Sequence, residues 1–312
     1  MMNSIWIQLK FPIPLLIKSL VMKKLVFLLP IISFIIAGCK EPRALPYAER
    51  EVVIFFSSRS LTNSLLKATE AEENKIARAI IFGYDGQNLS KLKDIENPSP
   101  GGEKLLVPGK ISIFYAIVNP SDGLALANPQ SISALKALTE DFAEAPQPSF
   151  LMSGTAVSES FNVNIELTRA IAKISITGEN DFVINSVKVV NTPAEGYVFS
   201  QGSESLSVPD GGTTEYEITG DNPEFYVAEN VSDAGKATKF VVTGETLDRG
   251  TATYTISQLT LKGTPVNIVR NNWYKISISP ITEYEYDITF TVEPWTSVEI
   301  DGHIIPDENF EE

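Results

Sequence analysis

The chain has 312 residues, of which 43% are hydrophobic and 21% are charged, values that are typical of a globular protein with a sizeable core. Its length allows about two domains of roughly 150 residues each. Asp and Glu total 39 against 25 Lys and Arg, which gives a formal net charge of -14. This acidic balance argues against a nucleic-acid partner, because phosphate binding requires a basic surface.

The chain contains one cysteine, Cys39, and one histidine, His303. A single cysteine cannot form an internal disulfide, and the two residues together cannot supply the ligands of a zinc site. A Ser-His-Asp or Cys-His catalyst would have to use His303, which lies in a tail rich in Asp and Glu. The sequence also lacks GxGxxG, Walker-type and HExxH motifs. We therefore expect no enzyme activity, no metal and no cofactor.

A secretory signal is predicted before Cys39. Lys23 and Lys24 form a short basic region, and residues 25–36 form an apolar run of 12 residues. This layout is typical of a signal segment, and the run is shorter than the about 20 residues that a membrane span requires. We interpret residues 1–38 as the signal segment. Met22 is a better start than the first methionine, in which case the residues before it are upstream sequence.

The signal ends in Ala37-Gly38-Cys39, which resembles the bacterial lipobox. That resemblance implies that the chain is cut before Cys39 and that its thiol is acylated, for example with palmitate. A thiol suits this role because its thiolate is a strong nucleophile. The alternative is a buried free cysteine in an N-terminal anchor helix. We favour lipidation, because the one cysteine lies at the position that the motif requires, and residues 39–50 would then be a lipidated tether.

The first half of the mature chain, residues 51–157, contains several predicted strands. Residues 52–56 (VVIFF) and 111–118 (ISIFYAIV) are short β-branched and aromatic runs, which favour buried strands. Residues 75–84 are similar and end at an Asp-Gly turn. Residues 131–142 place apolar side chains at helical spacing after a serine that can cap a helix. We therefore predict one short helix in this half.

The second half, residues 158–312, is predicted to be almost wholly β. Residues 161–167 alternate between apolar and polar side chains. Further candidate strands are 171–176, 182–190, 213–218, 225–228, 239–242, 252–261, 273–278 and 284–292. Turn residues recur between them at short spacing, which is typical of a sandwich or barrel. We predict an all-β protein of two tandem β-sandwich (transthyretin-like) domains, 51–157 and 158–312, with one short helix in the first.

Segments throughout the mature chain occur in the order found in one known family. In the first half these are FYAIVNPSDG, ISALKALTEDF and FLMSG. In the second half they are LTRAIAKISI, FYVAEN, VRNNWYKISI and FTVEPW. Together they resemble the fimbrillins, the major pilin family of Bacteroidia type V pili. The resemblance covers nearly the whole mature chain.

The resemblance implies a route of export and assembly. The lipidated precursor reaches the outer membrane, and a trypsin-like Arg or Lys protease at the surface removes its N-terminal strand. A strand of the next subunit fills the vacated groove, so that copies of the protein and other pilus subunits build an extracellular fimbrial stalk for adhesion. General physics agrees, because an unpaired strand edge templates pairing and an added strand satisfies it. A head-to-tail contact of this kind builds an open filament.

The strand to be removed corresponds to Val52, Val53, Ile54, Phe55 and Phe56, which can also be an ordinary core strand.

The cut is expected in the polar stretch that follows, after Arg59 or after Lys67. Lys67 matches the family's spacing to the next strand better, but this chain has Lys-Ala where the family usually has Arg-Ala. Proteolysis at either position requires an exposed loop. The third possibility is that no cut occurs, as expected for an anchor subunit that keeps its lipid.

The donor strand is expected in the C-terminal region. Its apolar positions alternate with acidic residues and threonines and could fill a groove at a period of two: Tyr284, Tyr286, Ile288, Phe290 and Val292. The same pattern also fits a fixed edge strand of the second domain.

Two alternatives to a stalk subunit stay open. One is a membrane-bound anchor, accessory or tip subunit of the same pilus. The other is a surface lipoprotein that binds glycans, for which Trp273, Trp295 and the ten tyrosines could provide stacking surfaces.

Overall fold

The structure is a computed structural model that describes residues 48–58, 73–144, 150–202, 206–233, 235–246, 248, 250–280 and 286–295. Four residues with predicted roles, Cys39, Arg59, Lys67 and Tyr284, lie outside the described residues. Strands dominate the described chain, which confirms the all-β prediction. The described helices are short, and none is long and apolar enough to span a membrane.

The first half of the chain provides one large sheet. Its elements are β1 (Glu49–Ser58), β2 (Arg78–Tyr84), β3 (Leu89–Glu96), β4 (Glu103–Pro108), β5 (Ile113–Val118), α1 (Asp122–Ala125), α2 (Ile132–Lys136), β6 (Thr139–Asp141), β7 (Met152–Val157) and β8 (Asn162–Arg169). Seven of the strands pair in the order β3-β2-β5-β7-β8-β1-β4. Strand β8 belongs to this sheet, which therefore extends past the predicted domain boundary at residue 157.

The seven-stranded sheet curls around its own apolar core. The strands at its two ends approach each other, and Lys93 Nζ of β3 lies 3.2 Å from Glu103 Oε2 of β4. All seven strands contribute buried side chains to the core, among them Val52, Ile54, Ala79, Ile81, Ile95, Leu105, Val107, Phe114, Ala116, Val118, Met152, Val163, Ile165 and Leu167. We call this set the first core.

The strands that sequence patterns predict in this half are present, and two more accompany them. Strands β3 and β4 are absent from the prediction. In β4, Leu105 and Val107 are buried while Leu106 between them is 64% exposed, so the run of apolar residues conceals the alternation. Phe161 is the first apolar residue of the alternation predicted over residues 161–167, but it is 51% exposed and lies just before β8.

The predicted helix over residues 131–142 is shorter than its apolar spacing indicates. Ser131 caps α2, and its Oγ accepts a hydrogen bond from Ala134 N at 3.1 Å. After α2 the chain enters β6 instead of continuing as a helix. Ser121 caps the other short helix, α1, in the same way, with its Oγ 3.3 Å from Leu124 N.

The second half forms a β-sandwich. Its strands are β9 (Ile171–Gly178), β10 (Val183–Pro193), β11 (Glu195–Tyr197), β12 (Thr213–Thr219), β13 (Glu224–Ala228), β14 (Lys239–Thr246), β15 (Gly250–Ile256), β16 (Thr260–Leu261), β17 (Thr264–Pro265), β18 (Asn272–Pro280) and β19 (Tyr286–Pro294). Two four-stranded sheets, β12-β10-β14-β15 and β13-β9-β18-β19, pack their apolar faces together. We call the buried residues between them the second core.

A third apolar cluster joins the two halves. It contains Ile80, Phe82, Tyr115 and Ile117, which belong to β2 and β5. The second half adds Ile171, Ala228 and Trp295 to the same cluster. The short ribbon of β6 and β11 also connects the halves, since Glu195–Tyr197 pairs with Thr139–Asp141. The seven-stranded sheet of the first half and the sandwich of the second half therefore share an apolar junction.

Candidate functional site: strand β1, the junction behind it and edge strand β19

Strand β1 lies inside the first sheet, with a partner on each side. It pairs in parallel with β8, from Val53 opposite Asn162 to Ser58 opposite Leu167. It pairs antiparallel with β4, from Glu49 opposite Pro108 to Ile54 opposite Glu103. Without β1, the facing edges of β8 and β4 would both lose their hydrogen-bonding partners, and such edges recruit other strands.

The predicted replaceable residues 52–56 form the middle of β1. Val52 and Ile54 are fully buried in the first core, and Phe56 packs against it while half-buried. Val53 and Phe55 project to the opposite face, where they cover Gly102. A Cβ on Gly102 would lie 2.7 Å from Val53 Cγ1, and its φ of +89° also favours glycine. Both faces of β1 are therefore closely fitted.

Arg50 fixes the beginning of β1 through four backbone carbonyls. Its Nη1 donates to Glu159 O and Ser160 O, both at 2.8 Å. Its Nη2 donates to Ile111 O at 2.8 Å and to Ser158 O at 3.1 Å. The predicted tether, residues 39–50, therefore overlaps β1, which begins at Glu49 and includes Arg50.

Beyond the undescribed residues 59–72, the chain continues at a buried carboxylate, Glu73. Glu73 Oε1 accepts hydrogen bonds from Lys173 Nζ at 2.9 Å and from Tyr226 OH at 2.7 Å. Its Oε2 accepts from Trp295 Nε1 at 3.1 Å. Three partners that are distant in sequence thus hold the residue that follows the predicted cleavage region.

Arg169 extends this buried network. Its Nη1 donates to Asn271 Oδ1 at 3.2 Å and to Trp295 O at 3.3 Å, and its Nη2 donates to Asn74 Oδ1. Its guanidinium lies over the Trp295 ring, 4.3 Å from the centroid. Burial lowers the pKa of Arg169 to about 10, although the charge of Glu73 acts in the opposite direction.

Tyr226 is the neutral member of the network. Burial, followed by its hydrogen bond to Glu73, raises the pKa of the Tyr226 hydroxyl well above its usual value. The phenol therefore remains a hydrogen-bond donor throughout the physiological pH range. Its ring stacks on Trp295, with centroids 5.4 Å apart, and both rings contact Phe150.

The two tryptophans considered for glycan stacking both pack against other side chains. Trp295 is buried, with 2% of its surface exposed. Trp273 is half-buried, and the ammonium groups of Lys173 and Lys275 lie 4.5 and 4.2 Å from its ring centroid. The Trp295 ring is therefore inaccessible to a sugar, and the Trp273 ring already contacts two ammonium groups.

Charged residues in three of the segments that resemble the fimbrillins form buried ion pairs and hydrogen bonds. FYVAEN contributes Glu229 and VRNNWYKISI contributes Arg270, and these two side chains form a buried ion pair. Arg270 also donates to Tyr197 O at 2.7 Å and to Val198 O at 3.1 Å. LTRAIAKISI contributes Arg169 and Lys173 to the Glu73 network. Sequence reasoning missed these roles, although charges within apolar strand patterns were a usable signal.

The candidate donor residues other than Tyr284 lie in β19, at the edge of the second sandwich. Strand β19 pairs with β18 on one side, from Tyr286 opposite Pro280 to Pro294 opposite Asn272. Tyr286, Ile288 and Phe290 are partly buried against the second core, while Val292 is 37% exposed. The donor candidates and the β1 residues therefore belong to different sheets.

Comparison with known proteins identifies the fold. No family model and no curated protein matches the chain. A candidate cell adhesion protein from Bacteroides eggerthii DSM 20697 is 12% identical, with a TM-score of 0.57 over 80% of this chain and 97% of that chain. The tip fimbrial protein Mfa3 from Porphyromonas gingivalis, with a C-terminal truncation, is 12% identical with a TM-score of 0.55, covering 79% and 100%.

A fimbrial assembly protein from Parabacteroides distasonis ATCC 8503 is also similar, at 14% identity and a TM-score of 0.52 over 79% of this chain and 99% of that chain. The chain thus has the fold of solved fimbrial proteins, and the fimbrillin-like fold that the sequence resemblance implies is confirmed.

Proposed function

We propose that this protein is a structural subunit of a Bacteroidia type V pilus, exported as an outer-membrane lipoprotein and polymerised by strand exchange. The observation that carries the proposal is the position of β1, inserted between β8 and β4 near the beginning of the mature chain. The segment that follows it contains both cleavage candidates, Arg59 and Lys67. A cut there would disconnect β1 from the remainder of its sheet.

Loss of β1 would expose the first core and two strand edges together. Burial of an aliphatic side chain contributes about 1.5–3 kcal/mol, so the empty positions of Val52 and Ile54 would leave a strong driving force for another strand. A strand from the next subunit restores both the apolar contacts and the backbone hydrogen bonds. Because donor and acceptor are different surfaces, the chain of contacts stays open and grows as a filament.

The lipid is expected at Cys39, upstream of β1. It anchors the precursor in the outer membrane. A cut at Arg59 or Lys67 would release Cys39 and its lipid together with β1. The remaining subunit would then move from the membrane into an extracellular fimbrium.

Strand β19 is the proposed donor region, in line with its place at a sheet edge. Its partly buried residues Tyr286, Ile288 and Phe290 alternate as a groove at a period of two requires. Val292 continues that alternation, as does Tyr284 just outside the described strand.

A trypsin-like protease tests the proposal on the purified precursor. Mass spectrometry should locate a cut at Arg59 or Lys67, and electron microscopy should then detect filaments. The double variant Arg59→Ala/Lys67→Ala should remain an unassembled lipidated monomer, and Cys39→Ser should lose the acyl mass. A cleaved wild-type subunit that never polymerises would contradict assembly by strand exchange.

A second candidate is an anchor, accessory or tip subunit that keeps β1 in place. It is favoured by Lys67-Ala68, where the family usually has Arg-Ala, and by the four hydrogen bonds of Arg50. In that case the same protease treatment leaves the lipidated N-terminus attached to the folded protein. A glycan-binding lipoprotein is disfavoured by the burial of Trp295 and by the two ammonium groups that contact the Trp273 ring.

A further inference from the structure

A group of backbone carbonyls lies at one end of the groove that β1 fills. The oxygens of Ser158, Glu159, Ser160 and Ile111 all accept hydrogen bonds from the guanidinium of Arg50. We call these four oxygens the carbonyl cluster. Charge-assisted hydrogen bonds are about twice as strong as neutral ones, so the cluster favours a cation over a neutral side chain at this position.

The carbonyl cluster is held by contacts that do not involve β1. Ser158 N donates to Ser112 O at 2.8 Å. Ser158 Oγ accepts from Ser160 N at 3.1 Å, and Ser160 Oγ donates to Asn162 O at 2.6 Å. The turn between β7 and β8 therefore keeps its own hydrogen bonds when β1 is absent, and its carbonyls remain available to an incoming strand.

Arg50 has a fixed spacing to the apolar positions of β1. Side chains two residues apart on a strand share a face, which places Arg50 in line with Val52, Ile54 and Phe56. The groove thus accepts, in order along one face, a cation, two fully buried aliphatic side chains and one half-buried side chain. A strand that fills it well must match the cation as well as the apolar positions.

The C-terminal region of this chain has no such cation. Residues 276–312 contain no Lys or Arg and ten acidic residues. When Ile288, Phe290 and Val292 take the three apolar positions, Tyr286 meets the carbonyl cluster. When the strand is shifted by two residues, Tyr286, Ile288 and Phe290 take the apolar positions and Tyr284 meets the carbonyl cluster. A tyrosine can donate one hydrogen bond, whereas Arg50 donates four.

We propose that the β1 groove selects a donor strand with Arg or Lys two residues before its first buried apolar side chain, and that this donor comes from a different pilus subunit. The inference rests on the proposed function and specifies the partner. Its basis is the match between a cation and the carbonyl cluster, combined with the acidic C-terminal region. The C-terminal strand of another copy can still fill the groove, but about tenfold more weakly, so that filaments of this subunit alone require a correspondingly higher protein concentration.

Strand replacement in a nicked protein tests this selectivity. A sequence-specific protease site is introduced within residues 59–72 of the full-length chain, and the folded protein is cut there. Fluorescent peptides of residues 48–58 are then added in excess, and their incorporation is measured by native mass spectrometry and anisotropy. The uncut chain, in which β1 stays covalently attached, is the control for non-specific binding.

The peptides differ at single positions. Arg50→Gln should weaken incorporation about tenfold relative to the native sequence, which corresponds to about 1.4 kcal/mol, whereas Arg50→Lys should retain most of it. Glu49→Gln is the matched control, since Glu49 is exposed and lies on the other face, and it should have no effect. A peptide of residues 284–294 should bind weakly, and should gain about tenfold when both Tyr284 and Tyr286 are replaced by Arg.

The outcomes separate the two proposals. If no peptide enters the nicked protein, strand exchange itself is wrong, and the selectivity falls with it. If peptides enter and Arg50→Gln binds as well as the native sequence, strand exchange stands and the cation requirement is overturned. If the unmodified 284–294 peptide binds as tightly as the 48–58 peptide, the donor can come from another copy of this chain. A domain-swapped dimer formed by exchange of β1 would also contradict a separate donor subunit.

Discussion

Substitution of Glu73 by Gln should destabilise the protein by about 3 kcal/mol. Glu73 and Lys173 are each 3% exposed, and their charges pair at 2.9 Å. Loss of one partner from a buried ion pair costs about 3–5 kcal/mol, because the other charge stays buried without its counter-ion. Lys173 retains Glu224 at 3.0 Å, but that carboxylate is 45% exposed. We therefore expect a value near the lower limit.

The loss should appear as a decrease in melting temperature on the order of 10 °C, at roughly 2–4 °C per kcal/mol for a protein of this size. Urea unfolding should give the same free energy with an unchanged slope. Glu293→Gln is the control, because its pair with Lys275 at 2.6 Å is solvent-exposed, with 39% and 50% of the side chains accessible. Exposed pairs contribute about 0–1 kcal/mol. Equal losses in the two variants would refute the claim that the Glu73 charge stabilises the junction.

Three further predictions concern the core, a turn and alkaline pH. Ile54→Ala should lower the free energy of unfolding in urea by about 2–5 kcal/mol, because Ile54 is fully buried in β1. Leu106→Ala is the control and should cost little, because Leu106 in β4 is 64% exposed. Similar losses in the two variants would contradict the inward orientation of Ile54. Asn119 has a φ of +52°, and its side chain accepts from Ala77 N at 2.8 Å and donates to Lys75 O at 2.7 Å. Asn119→Ala should therefore cost about 2 kcal/mol by thermal unfolding, and Asn119→Gly should recover only the backbone part; full recovery by glycine would show that the hydrogen bonds contribute nothing. The pKa of Tyr226 is raised in the folded state above its ordinary value of 10.0, so its contribution is complete below pH 10 and is lost as the pH rises further. The pKa of Arg169 is lowered to about 10, so the contribution of Arg169 to the free energy of unfolding increases over the same interval. Tyr226→Phe removes the Tyr226 contribution and leaves that of Arg169. The free energy of unfolding should therefore fall less steeply between pH 10 and 11 than in the wild type. An unchanged slope would exclude Tyr226 as a source of the alkaline sensitivity.

Strands with both faces buried could be predicted from the sequence. Residues 79–82 of β2 and 114–118 of β5 are buried almost without interruption, because the first core covers one face and the junction covers the other. Such strands are continuous apolar runs, which are visible without any knowledge of their partners. Alternating β8 was equally clear, with Val163, Ile165 and Leu167 buried on one face.

The ends of the sheet and of the helix depend on distant contacts and could not be predicted. Strand β3 carries Lys91, Lys93 and Asp94, which lowers its apolar signal. Phe142 fits the helical spacing, but it lies against β11, where a Cβ on Gly196 would be 2.6 Å from its ring. Tertiary packing thus ended the helix early, as it commonly overrides local propensity.

The Glu73 network illustrates the same limit for the candidate site. Its members Glu73, Lys173, Tyr226 and Trp295 come from four distant parts of the chain. Each alone has an ordinary local sequence, and their meeting depends on the arrangement of both halves. Predictions for Cys39, Arg59 and Lys67 rest on local motifs instead, and they remain predictions.

The pairing of β1 also affects the order in which the sheet can fold. Strands β2 and β3, β2 and β5, β5 and β7, and β7 and β8 are all antiparallel neighbours that are close along the chain. In contrast, β1 must wait for residues 162–167, more than a hundred positions later. Contacts of such long sequence separation slow folding. We therefore expect the entry of β1 to be the late, rate-limiting step, so that a segment made early in synthesis is among the last to find its place.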